Sequence, residues 1–345
     1  MAFNSTSTIP TPVALAEPDS STPEYTEKPR KRIAQLDAGN IDDYKYGFHD
    51  PEFLQNYKGT HVIYPFYQAL PILEKFQARP GDICVTTFPK SGTTFVSAVV
   101  EMILHYGDHD ALTSGPFLDE KIPLMDCKES PFTKDEDLLV TTISNRPSPR
   151  KFLTHLGYEA IPKSILDNAK IVYVARNPKD VIVSHFHFVR SFVTMRFKGE
   201  LEDMVDAFID NKCMYAPYFD HVAAYWKHAQ ENKNFFFVTY ERMCKDLKGV
   251  VRDLCVFLDR DLTEEQMDNV VHHCQFDNMK QVSNVNRTSL AEAGYLDFNI
   301  SHFMRVGKPG NWKEHFSPEL NAKVDKWIAE QRARFPDYKL EYQYE

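Results

Sequence analysis

Long hydrophobic runs are missing. None of the apolar stretches in the 345 residues approaches the roughly 18 needed to cross a bilayer. The N-terminal residues lack the basic and apolar segments of a secretory leader, so the sequence predicts a cytoplasmic protein with no membrane partner. Positive charge is also in short supply: 40 Lys and Arg face 49 Asp and Glu, a formal net charge of −9. Sequence-independent nucleic-acid binders need a basic face, and that class is excluded; a local basic pocket for a small polyanion is not. The six cysteines (Cys84, Cys127, Cys213, Cys244, Cys255 and Cys274) are scattered without a C-x-x-C pair, and free thiols are expected. His272-His273-Cys274 is too compact for a tetrahedral zinc site and has no partner pair, so no metal is expected.

What is present supports one large α/β domain. A hydrophobic fraction of 43% is ample for a core. Residues 1–45 are rich in Ser, Thr, Pro and charge, with a basic patch at Lys28-Pro29-Arg30-Lys31-Arg32, and read as a disordered extension. Residues 46–345 form the single domain. Aromatics dominate from Tyr46 to Leu73, as peripheral packing or as a wall over an apolar substrate. Three strand-then-helix units follow. Ile83-Cys84-Val85 leads into a helix over Val96–Leu104, and Lys170–Ala175 into a helix beginning near Lys179. Phe235–Thr239 precedes one continuous helix from Glu241 to Leu258. Such alternation predicts a central, mostly parallel sheet with helices on both faces, whose ligands bind beyond the carboxyl ends of the strands. Lys90, Arg176 and Tyr240 all sit just past such ends.

Thr86-Thr87-Phe88-Pro89-Lys90-Ser91-Gly92-Thr93-Thr94-Phe95 is the most informative stretch. A strand, a tight turn and a helix start present unpaired N–H groups, a cation and hydroxyls, which together make a phosphate cradle. It is not G-x-x-x-x-G-K-[ST], because Lys90 precedes the only Gly. The turn alone is equally compatible with an ordinary strand–helix connection. Arg176 and Ser184, eight apart, can share a second phosphate through charge-assisted hydrogen bonds, or can be a helix-capping Arg and a packed Ser. The loop Arg305-Val306-Gly307-Lys308-Pro309-Gly310-Asn311-Trp312-Lys313 is built to close on an anion. Of 13 histidines, His155 stands out at the end of an apolar run, with His187 the runner-up. A neutral imidazole suits a general base near working pH.

The P-K-S-G-T-T string, V-A-R-N-x-K-D-x-x-V-S and the 305–313 loop, in this order, resemble the cytosolic sulfotransferases, and the similarity runs from about Tyr46 to Trp327. The resemblance implies a P-loop-like sulfotransferase fold. It also implies use of PAPS (3′-phosphoadenosine 5′-phosphosulfate, giving PAP) without a metal. Residues 90–94 (Lys90, Ser91, Gly92, Thr93 and Thr94) would take the 5′-phosphosulfate. Arg176, Ser184, Arg305 and Gly307 would take the 3′-phosphate, with Val306 where the family has a Lys. Phe95, Tyr240 and Phe276 would pack the adenine, with Cys274 where a Thr bonds the base. His155 would deprotonate the acceptor, with Lys90 stabilising the leaving group and Ser184 also counted as catalytic, and with Phe188 and Phe117 as apolar walls for a small hydrophobic hydroxyl compound or amine. Leu153 replaces the family's catalytic Lys two residues before His155. Lys151 lies about 7 Å away along the strand and is no substitute. A slower or narrower enzyme is therefore expected. The alternatives are a PAPS- or PAP-binding protein of little activity and a small-molecule kinase. Of the family's pairing stretch only Lys313 is matched, Ser317, Pro318 and Ala322 departing from it. A monomer, or a homodimer through an atypical interface, is expected.

Overall fold

Short apolar segments and their turns generate the strands. In a computed structural model, the structure describes residues 54–67, 69–127, 139–192, 195, 197–292, 294–340 and 342. The expected extension over residues 1–45 lies outside them. β1 (Leu54–Tyr57) and β2 (Thr60–Ile63) form an antiparallel hairpin. β3 (Ile83–Thr87) turns into α1 (Thr93–Leu104), β4 (Lys151–Thr154) follows, and β5 (Lys170–Ala175) leads into α2 (Pro178–Ser191). Then come α3 (Leu201–Ile209), α4 (Tyr218–Glu231), β6 (Phe235–Thr239), α5 (Tyr240–Lys245), α6 (Leu247–Phe257), α7 (Glu264–His273) and α8 (Pro318–Arg334).

The main sheet has the order β4-β3-β5-β6, and every pairing in it is parallel. Alternation along the strands sends side chains to two cores. Ile83, Val85, Leu153, Val172 and Val174 join residues of α1, α6 and α7 on one face. Cys84, Phe152, Ile171 and Tyr173 join residues of α2, α3, α4 and α8 on the other. This is the α/β sheet with helices on both faces that the alternation predicts.

Two local features position the site. At the strand starts, buried Arg150 donates through Nε and Nη2 to Asp82 Oδ2 at 3.0 and 2.5 Å, and its backbone N–H donates to Oδ1 at 3.0 Å. That fork ties β4 to β3, fixing the register of the strands that carry His155 and Lys90. After β6 the expected single helix is two. Asp246 closes α5 through its N–H to the Arg242 carbonyl, while its carboxylate accepts from Gly249 N at 3.0 Å and opens α6. A short acceptor side chain at this point favours a cap over a helix interior. Among the described residues no helix is long and apolar enough to cross a membrane, and all six cysteines are free.

Candidate active site

Four neighbouring strands release the key side chains on one rim. His155 is the first residue after β4, Arg176 the first after β5 and Tyr240 the first after β6, while Lys90 lies on the turn after β3. The register places Thr86 opposite Thr154, Thr87 opposite Val174 and Ala175 opposite Thr239, so these exits are level. They open into a cavity of about 1000 Å³, and Lys90, Arg176 and Arg305 all line it.

At one end the cavity is basic. Lys90 (φ 69°) and Gly92 (φ 112°) put the turn in the left-handed region. A Cβ on Gly92 would lie 2.7 Å from Tyr240 Cδ2, so the close approach of turn and ring requires glycine. Thr93, Thr94 and Phe95, the first turn of α1, line the wall. The Arg176 guanidinium lies 4.2 Å from the Tyr240 ring centroid and donates to the Lys90 carbonyl at 3.0 Å. Its Nε is buried without a hydrogen-bond partner, a donor suited to an anion. Ser184, in the second turn of α2, faces the same cavity.

The 305–312 loop is fastened to α2 by Asp180, whose Oδ2 accepts from Gly310 N at 2.7 Å and Oδ1 from Trp312 N at 3.0 Å. Arg305 hydrogen-bonds Asn311 and lies 3.4 Å from His315 Nε2. Val306 and Lys308 also reach the lining. Gly307 (φ 70°) passes so near Phe276 that an added Cβ would sit 2.1 Å from the ring. Gly307→Ala is therefore expected to weaken 3′,5′-ADP binding at least about tenfold, since a left-handed backbone and a ring clash coincide; calorimetry reads it. Asp180→Ala removes the acceptor of two N–H groups and is expected to cost about 1–3 kcal/mol of stability, seen as a lower unfolding midpoint with weaker nucleotide binding.

The other end is apolar around one imidazole. His155 Nδ1 donates to the Thr87 carbonyl at 2.8 Å, which leaves Nε2 as the nitrogen with the lone pair. Burial, with Lys90 nearby adding to it and the Thr87 bond opposing, lowers its pKa to about 4. The base is therefore neutral at working pH. Buried Asp126 accepts from His155 N at 2.7 Å and Thr154 Oγ1 at 2.5 Å, and His221 Nε2 donates to the His155 carbonyl at 3.0 Å. The backbone that carries the imidazole is thus fixed from two sides. Lys90 Nζ lies 3.8 Å from the Phe303 ring centroid and 4.5 Å from that of Phe188. Leu153 lines the wall, and Lys151 is held 2.5 Å from Glu101.

Several expected residues lie elsewhere. Phe117 is outside the lining: its N–H is capped by Glu120 at 3.0 Å at the start of a short helix, and Asp119 and Leu124 supply that wall instead. Ser91 is fully buried beneath the turn, and Cys274 is buried in the α7-side core, leaving its neighbours Gln275 and Phe276 on the cavity. His187 packs near His315, outside the lining. Asp126, Phe303 and Arg287 carry no recognisable local pattern, and sequence reading misses them; Asp180 is the acidic residue of V-A-R-N-x-K-D, but its hold on the 305–312 loop is not legible there. Among the described residues no group of three or more His, Cys, Asp or Glu side chains is placed to hold a metal ion.

The chain has clear relatives. A sulfotransferase domain family matches residues 80–336. The amine sulfotransferase of Oryctolagus cuniculus is 35% identical over 297 residues, 83% of this chain and 92% of that protein. Sulfotransferase 1B1 of Canis lupus familiaris is 35% identical over 77% of this chain and 88% of its own. Among solved structures, retinol dehydratase in a complex with retinol and PAP superposes with a TM-score of 0.75 at 25% identity, covering 93% of this chain and 98% of that one. Mouse sulfotransferase SULT7A1 complexed with PAP gives 0.63 at 26% identity, over 81% and 94%. Basic turns, orphaned guanidinium donor and glycine close approaches fit the nucleotide that both complexes contain. The chain belongs to the cytosolic sulfotransferase family and moves a sulfuryl group from PAPS to a hydroxyl or amine of a small molecule.

Proposed function

We propose that the acceptor is an elongated, largely apolar alcohol or phenol whose hydroxyl meets His155 Nε2. The carrying observation is the apolar share of the cavity lining that His155 joins: Ile63, Phe66, Leu153, Phe188, Met195 and Tyr295 all contribute to it. Retinol, the molecule named in the neighbouring complex, is an alcohol of this kind. An amine acceptor arrives as an ammonium and needs an anionic partner. Both lining carboxylates are engaged, Asp119 by Arg287 and Asp180 by the backbone of the closing loop.

In this reading Lys90 and the N–H groups of the 91–94 turn hold the phosphosulfate, while Arg176, Ser184, Arg305 and Gly307 hold the 3′-phosphate. Tyr240, Phe95 and Phe276 pack the base; Phe95 and Tyr240 already meet edge-on at 6.1 Å. Transfer is direct and in line, with no covalent enzyme intermediate. Ser317 caps α8, accepting from Leu320 N at 3.1 Å, and the chain works as a monomer or pairs through another surface. The test is turnover of labelled donor with steroid- and isoprenoid-length alcohols, phenols and amines of matched size. The expected result is product with the alcohols or phenols at far higher kcat/KM than with amines. Turnover confined to amines or to short polar alcohols overturns the assignment.

A further inference from the structure

We propose that Arg287 is a catalytic residue: its guanidinium binds the sulfuryl oxygens of the donor during transfer and supplies the second cation that β4 does not. The inference rests on the sulfuryl-transfer reading above.

The strand beside the base offers no charge, because Leu153 is apolar and Lys151 is spent on Glu101. Arg287 comes from elsewhere in the chain. It sits on the turn between two short helices, Ser283–Asn286 and Thr288–Glu292, with φ at 69°. A left-handed backbone at a non-glycine residue costs energy and persists only where surrounding contacts enforce it. Here the contacts aim the side chain into the cavity, which it lines. Asp119 pairs with one terminal nitrogen, Nη1, and the Phe303 ring centroid lies 5.1 Å from Cζ.

The same ring carries Lys90 Nζ at 3.8 Å. Two cations on one ring are at most about 9 Å apart, comparable to a Debye length of about 8–10 Å even if the space between them were water. Among the charges that hold the Lys90 ammonium below its ordinary range, Arg287 acts more strongly than Arg176 or Arg305. The ring it shares with Lys90 places it at the reacting end of the cavity. A guanidinium has five N–H donors; Asp119 engages one nitrogen, and Nε is buried with no hydrogen-bond partner. Donors remain for the sulfuryl oxygens.

In the step itself the acceptor oxygen forms a bond to sulfur as the bond from sulfur to the bridging oxygen breaks. The electron pair of that bond stays on the departing 5′-phosphate of PAP, and the acceptor's proton passes to His155 Nε2. Arg287 stays protonated throughout and exchanges no proton. Together with Lys90 it stabilises charge on the oxygens around sulfur and the leaving bridge.

The experiment compares the full-length protein with Arg287→Met and Arg287→Lys. Calorimetry gives affinities for PAPS and for PAP, which lacks the sulfuryl group, and turnover is followed with the best alcohol acceptor. Arg287→Met is expected to weaken PAPS binding and lower kcat, each by about 10- to 100-fold, while PAP binds within about twofold of the parent. Arg287→Lys is expected to recover part of both losses, because it keeps the charge. Equal loss of PAPS and PAP affinity, unchanged kcat, or a Lys variant as weak as the Met variant overturns the proposal. If Arg287→Met fails to fold, the Lys variant decides: a PAPS-specific deficit supports the contact, and none refutes it. The PAPS-against-PAP comparison needs no acceptor, so a wrong acceptor assignment would show separately as absent turnover in the parent protein.

Discussion

Replacing His155 with alanine is expected to lower kcat by about 10²–10⁴-fold, the range for removing a positioned general base. Binding of 3′,5′-ADP is expected to survive, because the nucleotide cations come from other turns. The Thr87 carbonyl fixes the tautomer, and Asp126 and His221 hold the backbone of the segment, so the substitution deletes the base without freeing its support. Burial supplies a second check. With the pKa lowered to about 4, the imidazole in the nucleotide-free protein is neutral above that pH and gains its proton only as pH falls toward it. Titration by NMR should therefore show no His155 transition between about pH 8 and 5.5, where an ordinary histidine titrates near 6.5. Full turnover in the alanine variant would remove His155 from the mechanism.

Lys90→Ala is expected to cost about 10²–10³-fold in kcat, comparable to losing a main electrostatic contact to the transition state, and to weaken PAPS binding as well. The ammonium is held well below its usual pKa, by burial first and then by Arg287, Arg176 and Arg305. An anionic donor reverses that balance and raises the pKa. The sign follows: the free protein holds the Lys90 ammonium below its ordinary range and the bound anion raises it, so between the two binding takes up protons and affinity falls as pH rises. Calorimetry across a pH series, in buffers of different ionisation heat, should show this uptake, and the alanine variant should lose it. Equal uptake in both proteins would move the proton to another group.

The parts that could be read from the sequence are those encoded over short distances. A short apolar run (83–85 or 171–175) leading into the turn of Lys90 or Arg176 announces both the strand and the rim where its last residue exits, since parallel strands with helical crossovers open at one edge. Near-continuous apolar character also marks these strands as buried on both faces. Glycines at 92 and 307 carry their own reason, a left-handed turn against an aromatic ring. Phe117 lies outside the cavity lining, which the sequence does not show, because a hydrophobic residue in a loop says nothing of which way its turn faces. The break at Asp246 went unseen because a single capping carboxylate inside an apolar periodicity looks like an exposed helix position. Arg287 and Asp126, and the loop partners of Asp180, leave no local signal for another reason. Each acts across more than twenty residues of sequence, and nothing in its immediate neighbours signals the partner.

The walls of the cavity are built from different material. Lys90, His155, Arg176 and Tyr240 hang from a four-stranded sheet locked by ladder bonds and by the Asp82–Arg150 fork. The region around Asp119, Arg287, Tyr295 and Phe303 rests on helices of four or five residues and on loops. Substitution in those short segments can reshape what the enzyme accepts while leaving the nucleotide seat untouched. Such a division lets one scaffold diversify its choice of molecule without relearning how to hold the adenosine bisphosphate.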